Sequence, residues 1–431
     1  MSTPLGNTAA GAPSPDPLDR TPDRGPTLAA LHLRGLLATI ATTNIALTLL
    51  WGAVQSIFLA VQVQAIDPAG AAGNLAIVVG IGSIGAMAGA PIAGVLSDRT
   101  RTRWGGRGPW MLAGAGGTVV LAVLLAFAHS IPLLTVYWFL MQVSTNFVLT
   151  PLSAHIPDRV PLPRRGLFSS TLGLCQLAGT VAGQAVGAAF ASIIGIGYAV
   201  VAVVFLLATI VFVLVNRRSN VHEPKPAAMN VRTFLRTFWV NPVKHPNFAW
   251  TFLGRFLLFV GYFPLQAYTF YILQDYIGLE KNAVESVAQV GLAALLGTVV
   301  GTPLAGLLAD KIRRIKPLVA AASGLLIVAF AAPMISPTLP GMLVYSFLGG
   351  VGLGSYLSVD YILITQVLPS ADDVGKDLGV INITTTLPQT IGVAVASVIV
   401  TLFSTYAALF PVAMGFVLVG ALMLFFIRGV R

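Results

Sequence analysis

Charge is what this chain has least of. Only 9% of its 431 residues are Asp, Glu, Lys or Arg, against 56% hydrophobic, and the mean hydropathy is +0.85. Soluble domains carry about 25% charged residues, and so few charges cannot keep this much apolar surface in water. An ordinary soluble enzyme, a nucleic-acid-binding domain and a disordered chain are excluded. The net charge of +10 does not point to nucleic acid either, because the basic residues lie between apolar runs. Cysteine is almost missing: Cys175 stands alone, which excludes an internal disulfide and a Cys-based metal cage. HExxH, GxSxG and paired carboxylates inside an apolar run are also missing. A membrane-embedded enzyme therefore has no visible chemistry, and neither a cofactor nor a metal is expected.

What is there is a series of apolar runs. About 20 apolar residues suffice to cross a bilayer. Twelve such runs can be placed, at approximately 35–63, 74–96, 110–128, 132–153, 167–190 and 197–215, then 249–273, 286–308, 317–334, 341–366, 378–402 and 406–427. The expected fold is an all-α polytopic membrane protein with twelve transmembrane helices in two six-helix halves. Residues 1–30 read as a disordered tail, with no apolar run behind a basic start and so no signal peptide. Residues 31–215 make the first half, 216–248 a linker and 249–431 the second half. In the linker, Val231, Phe234, Leu235, Phe238 and Trp239 share one helical face behind the capping residue Asn230, which predicts a short interfacial helix. Lys and Arg set the orientation. With the N-terminus inside, 23 of the 25 fall on the inner side, Lys281 alone falls outside and Arg255 lies within a span. Both termini are expected in the cytoplasm and the protein in the plasma membrane. Arg in excess of Lys, with abundant Ala and Gly, suggests a high-GC, actinobacterial genome.

The halves repeat each other. Gly89-Ala-Pro-Ile-Ala-Gly-Val-Leu-Ser-Asp98-Arg-Thr-Arg101 aligns with Gly301-Thr-Pro-Leu-Ala-Gly-Leu-Leu-Ala-Asp310-Lys-Ile-Arg313, with seven of thirteen positions identical. Both copies end the second span of a half, as expected of parallel repeats about an axis along the membrane normal. Here the sequence resembles the major facilitator superfamily, whose signature after span 2 matches Gly94-Val-Leu-Ser-Asp98-Arg99 with Arg101 and Arg103. The extension through Trp104-Gly105, Arg107 and Pro109-Trp110 is similar to the glycoside–pentoside–hexuronide cation symporters and their sucrose-transporter relatives. Lys376-Asp377-Leu378-Gly379 and Leu387-Pro388-Gln389 resemble the same group.

The loop motif has a physical reading of its own. Gly94 has no side chain to hold a neighbouring helix away. Asp98 sits where a helix emerges, and its carboxylate can face a helix N-terminus or pair with an Arg. Gly94, Asp98, Arg99, Arg101, Arg103 and Asp310 are read as a conformational latch, with Arg159 as the expected partner of Asp98.

The resemblance implies a cavity lined by spans 1, 4, 7 and 10, and each carries a polar stripe. Span 1 has Asn44, Thr48, Trp51, Gln55 and Gln62; span 4 has Gln142, Asn146 and Ser153. Span 7 has Arg255, Phe259, Tyr262, Gln266 and Thr269; span 10 has Tyr345, Gly349, Gly352, Tyr356 and Asp360. These spacings put each set on one helical face, and polar groups are costly toward lipid. Asn44, Trp51, Gln55, Gln142, Asn146, Tyr262, Gln266 and Tyr356 are the candidate substrate-binding residues. Amides and hydroxyls hydrogen-bond sugar hydroxyls, and aromatic faces stack on pyranose rings. The same set suits an amphiphilic natural product, and helix packing without a ligand is the plainer alternative for any single residue.

Arg255 and Asp360 are the ionisable residues deep within spans. Each lies seven residues from the inner boundary, about 10 Å deep at roughly 1.5 Å per residue. An unpaired charge there costs at least a few kcal/mol, so they are expected to pair, with Asp360 as the proton-coupling candidate. Symporters of the resembled group carry acids in spans 2 and 4. Neither span has one here, so a proton rather than sodium is the expected coupling cation. Gly80-Ile-Gly82-Ser-Ile-Gly85 matches a dinucleotide fingerprint but lies inside an apolar helix with no preceding strand. Gly179, Gly183 and Gly187 resemble an exporter motif, although Gln184 stands where that motif has proline, and both glycine sets are read as packing. The expected function is a secondary transporter of a small organic solute, with a sugar or glycoside leading and a proton-driven exporter of an amphiphilic metabolite or drug as the alternative. Its expected partners are the solute, a proton and the bilayer, and it is expected to act as a monomer.

Overall fold

The computed structural model describes residues 26–217, 245–312, 315–367 and 374–427. The tail before residue 26 and the interfacial helix expected around Phe234 lie outside the described residues. Those described form helices and turns, with no strand among them. In the first half, α1 runs Pro26–Ala53, passes a π turn at Val54–Phe58 and ends with Leu59–Ile66. It begins ahead of the boundary expected at residue 31. There follow α2 (Ala71–Arg99), α3 (Gly108–Ala126), α4 (Ile131–Arg159), α5 (Leu162–Ala189) and α6 (Ile194–Asn216). In the second half, α7 (Pro246–Ala267) leads through Thr269–Tyr271 into a second π turn, Ile272–Tyr276. Then come α8 (Ala283–Ile312), α9 (Ile315–Ile335), α10 (Leu339–Val367), α11 (Val374–Phe403) and α12 (Leu409–Leu422). Among the described residues, eleven helices are long and apolar enough to cross a membrane, and α11 has a shorter apolar stretch, Leu387–Phe403.

Hydrocarbon offers no partner to a backbone N–H or C=O, so each span satisfies its own as a helix. Proline in the first turn starts α3, α4, α5 and α7, where its missing N–H costs nothing. Glycine then decides which helices touch. A Cβ on Gly85 would stand 2.6 Å from the Phe139 carbonyl oxygen, and one on Gly89 2.9 Å from Val143 Cα, so α2 lies directly on α4. Their repeat counterparts Gly297 and Gly301 seat α8 on the backbone of Phe347 and Val351 in α10. The internal repeat is therefore visible in packing as well as in sequence. A third seam joins α1 to α5 through Gly179, Gly183 and Gly187, whose faces meet the backbone of Ile45, Leu49 and Ala53.

Across the halves, α2 packs on α11 and α5 on α8. Two inter-half hydrogen bonds sit at the end remote from Asp98. Tyr268 Oη donates to the Ala72 carbonyl (2.8 Å) and Tyr271 Oη to the Ala60 carbonyl (2.9 Å). The rings of Tyr268, Tyr271 and Tyr406 stand 6.0–6.2 Å apart in this clasp. The opposite end, which carries Asp98 and the basic loops, is called the basic face below.

Candidate functional site

The π turn in α1 splits the polar stripe of span 1. A π turn closes i→i+5 and takes more residues than an α turn, so side chains beyond it rotate out of the register set before it. Gln62 accordingly leaves the stripe and is fully engaged inside the first half. Its Nε2 donates to the carbonyls of Leu125 (2.8 Å) and Ala128 (3.0 Å), and its Oε1 accepts from Tyr198 Oη (3.0 Å). Before and within the turn, Asn44, Trp51 and Gln55 are half-buried. Asn44 Oδ1 and Trp51 Nε1 are buried atoms with no hydrogen-bond partner among the described residues. On α4, Asn146 Nδ2 is held by the Gln142 carbonyl (2.8 Å), whereas Gln142 Oε1 has no such partner.

A cavity of about 420 Å³ of empty space, partly open, lies between the halves. Tyr262, Gln266 and Thr269 from the α7 region and Tyr345 and Ser346 from α10 line it, with Gln184 from α5 facing them. Gln184 is 6% exposed, its Oε1 is unpartnered among the described residues, and its amide lies against Gly291 of the other half. Among the described residues, the lining carries no Asp, Glu, Lys or Arg. Sequence reasoning passed over Gln184 because it sits in a run of packing glycines; the signal was an amide in an otherwise small and apolar face. Tyr356 is not in this cavity. It shares a helical face with Tyr345 but lies eleven residues along α10, about 16 Å at roughly 1.5 Å per residue, in a second chamber with Arg255 and Asp360.

That chamber lies within the second half, between α7, α9, α10 and α12. Arg255 Nη1 and Asp360 Oδ2 form an ion pair there, with side chains 13% and 1% exposed. The guanidinium also stands 5.2 Å over the Phe259 ring, which in turn meets Tyr356 edge-on. The ring face gives the cation a second stabilising contact.

At the basic face the partner of Asp98 is Arg107, not Arg159. Arg107 reaches Asp98 (3.4 Å) and Asp158 (2.5 Å) together, tying the α2–α3 loop to the end of α4. Arg159 points to α6 and donates to the Asn216 carbonyl (3.0 Å). One position along α4 separates Asp158 from Arg159, and the rotation of about 100° per residue sends them to different neighbours. Arg101 donates to the Asp98 carbonyl (2.6 Å), while Arg99 and Arg103 are exposed. Gly94 makes no close approach: a Cβ there would meet Thr150 at an ordinary 3.7 Å. Asp310 ends α8 in the equivalent place, and its side chain lies outside the described ones. The two ion pairs of Arg107 lie within the first half. Both carboxylates are about half exposed, and exposed pairs add little stability. Asp98→Asn should therefore leave the melting temperature within about 2 °C while lowering the transport rate several-fold. Transport at the wild-type rate would remove Asp98 from any switching role.

Two pseudo-repeated six-helix halves enclosing a polar cavity define a multi-pass membrane transporter. The sequence profile of the Major Facilitator Superfamily matches residues 33–345 and again 286–431, and the chain belongs to that family. No curated protein sequence matches it. Among solved structures it is similar to a bacterial homolog of the human lysosomal transporter Spinster, at 15% identity and TM-score 0.69 over 94% of this chain and 97% of that one. It is also similar to the nucleoside transporter NupG, at 11% identity and TM-score 0.71 over 91% and 98%. A D-xylose–proton symporter matches at 15% identity and TM-score 0.70 over 93% and 98%. At these identities the likeness is one of fold.

Proposed function

We propose that the protein moves a small uncharged polyhydroxylated solute, a sugar or glycoside, across the cytoplasmic membrane by alternating access, driven by protons. The observation that carries the reading is the set of buried unpartnered groups, Asn44 Oδ1, Trp51 Nε1, Gln142 Oε1 and Gln184 Oε1. Each such group costs about 1–3 kcal/mol when left unsatisfied, a cost that a bound hydroxyl removes. Among the described residues, the cavity lining between the halves carries amides, hydroxyls and phenols and no ionic side chain, which suits a neutral solute. Solved transporters of this fold include one for D-xylose with protons and one for nucleosides. The 23-to-1 distribution of basic residues supports placing the basic face and both termini in the cytoplasm. Proton coupling is assigned to Asp360, the carboxylate buried beside Arg255.

Thermal-shift titration of the purified protein with monosaccharides, disaccharides and aryl glycosides tests the solute class, since a ligand of the native state raises its stability. A stabilising sugar is expected. Trp51→Ala and Gln184→Leu should each weaken its affinity about tenfold, the effect of about 1.4 kcal/mol. Wild-type affinity in both variants would place the solute site elsewhere. Stabilisation by hydrophobic drugs alone would replace the sugar with an exporter's substrate.

A further inference from the structure

The chamber around Asp360 holds more than the ion pair. Asp360 Oδ2 is taken by Arg255, but its Oδ1 is buried with no partner among the described residues. Ser323 Oγ, on α9, lines the same chamber in the same condition, and both residues are 1% exposed. The chamber they line has about 280 Å³ of empty space, against about 420 Å³ in the cavity between the halves. A buried water is stable where two or more polar groups receive it, and two buried polar atoms here have no partner among the described residues. The other titratable groups facing the chamber are Arg255 from α7 and Tyr356 from α10; α9 and α12 contribute none to its lining.

The chamber and the solute cavity have no lining residue in common. From Ser323 the chamber extends toward the basic face past Val319 and Thr251, each one helical turn nearer that end. Trp250, stacked on Phe426 at 4.8 Å, also lines it. We propose that Asp360 exchanges its proton with basic-face solvent through this side chamber, with Ser323 holding the relaying water, and not through the solute cavity. The proposal rests on the proton-coupling reading above. On release, the carboxyl O–H bond breaks and its proton joins the bridging water, which passes one of its own to the next water outward. Ser323 keeps its hydroxyl throughout and acts as a positioning residue, and Arg255 regains an anionic partner.

Infrared titration of the purified protein, with hydrogen–deuterium exchange of the carboxyl band, tests this without knowledge of the solute. A protonated-carboxyl C=O band that Asp360→Asn removes is expected in the wild type. In Ser323→Ala that band should move to higher wavenumber as it loses a hydrogen bond, and its exchange should slow about tenfold, as for loss of one relay interaction worth about 1.4 kcal/mol. Ser323→Thr, which keeps the hydroxyl, should restore both. Ser346→Phe, which fills the solute cavity, should change neither. Unchanged exchange in Ser323→Ala, or slowed exchange in Ser346→Phe, would overturn the side route while leaving proton coupling in place. A wild-type spectrum with no titrating band assignable to Asp360 would overturn the coupling itself.

Discussion

Asp360→Asn is expected to abolish pH-driven accumulation and to keep solute exchange at equal pH. A gradient of one pH unit is worth about 1.4 kcal/mol per proton, enough for about tenfold accumulation. Without a carboxylate to carry the proton, the ratio should fall to about one. The fold should survive, because the Asn oxygen still accepts from the Arg255 guanidinium and the Phe259 ring still covers it. Paired assays in proteoliposomes, one with an imposed gradient and one with preloaded solute, separate the two activities. Accumulation that persists in the variant would take the coupling role from Asp360.

Gly183→Val should cost the protein its folded state rather than its activity. A Cβ at Gly183 would overlap the Leu49 carbonyl and stand 2.9 Å from the Ala53 nitrogen. These are main-chain atoms of a helix and cannot rotate aside, so α1 and α5 would have to separate. Overpacking of this kind costs about 1–3 kcal/mol or more. Inside a membrane no hydrophobic effect between helices offsets it, because association there rests on close packing. The expected result is a low yield of monodisperse protein, with a melting temperature several degrees lower in what remains. Gly116→Ala is the comparison, since its Cβ would meet nothing within 4 Å. Wild-type yield and melting in Gly183→Val would mean that the seam is not needed.

The architecture was legible because few physical rules produce it. A chain with so little charge has to span a membrane, its apolar runs have to be helices, and a repeated Gly-Pro-Asp pattern marks equivalent helices in two halves. Arg255 and Asp360 stood out because they are charges where charges are expensive. The rest of the site depends on local geometry that helical periodicity does not contain. Gln62 has the right spacing from Asn44, yet the π turn at Val54–Phe58 puts it among Leu125, Ala128 and Tyr198. Tyr356 shares a face with Tyr345 on a straight helical wheel, but the two line separate spaces. Arg107 lies in a loop, where no periodicity exists, so its bridge from Asp98 to Asp158 could not be read from spacing. Gln184 was visible and misweighed: the glycines around it really do pack against α1, and its amide turns the other way, toward Gly291.

The tyrosine clasp distributes heritable control unevenly between the halves. Both hydroxyls belong to the second half, and both acceptors are main-chain carbonyls of the first, at Ala60 and Ala72. Every residue type supplies a main-chain carbonyl, so mutation at Ala60 or Ala72 cannot delete the acceptor. A single base change that turns Tyr268 or Tyr271 into Phe deletes the donor and leaves the ring in place. Each bond carries a net of about 0.5–1.5 kcal/mol, roughly a 2- to 12-fold change in the balance between clasped and unclasped forms. Selection for a faster or a tighter transporter would therefore find its smallest steps at Tyr268 and Tyr271, in one half of a molecule whose halves otherwise mirror each other.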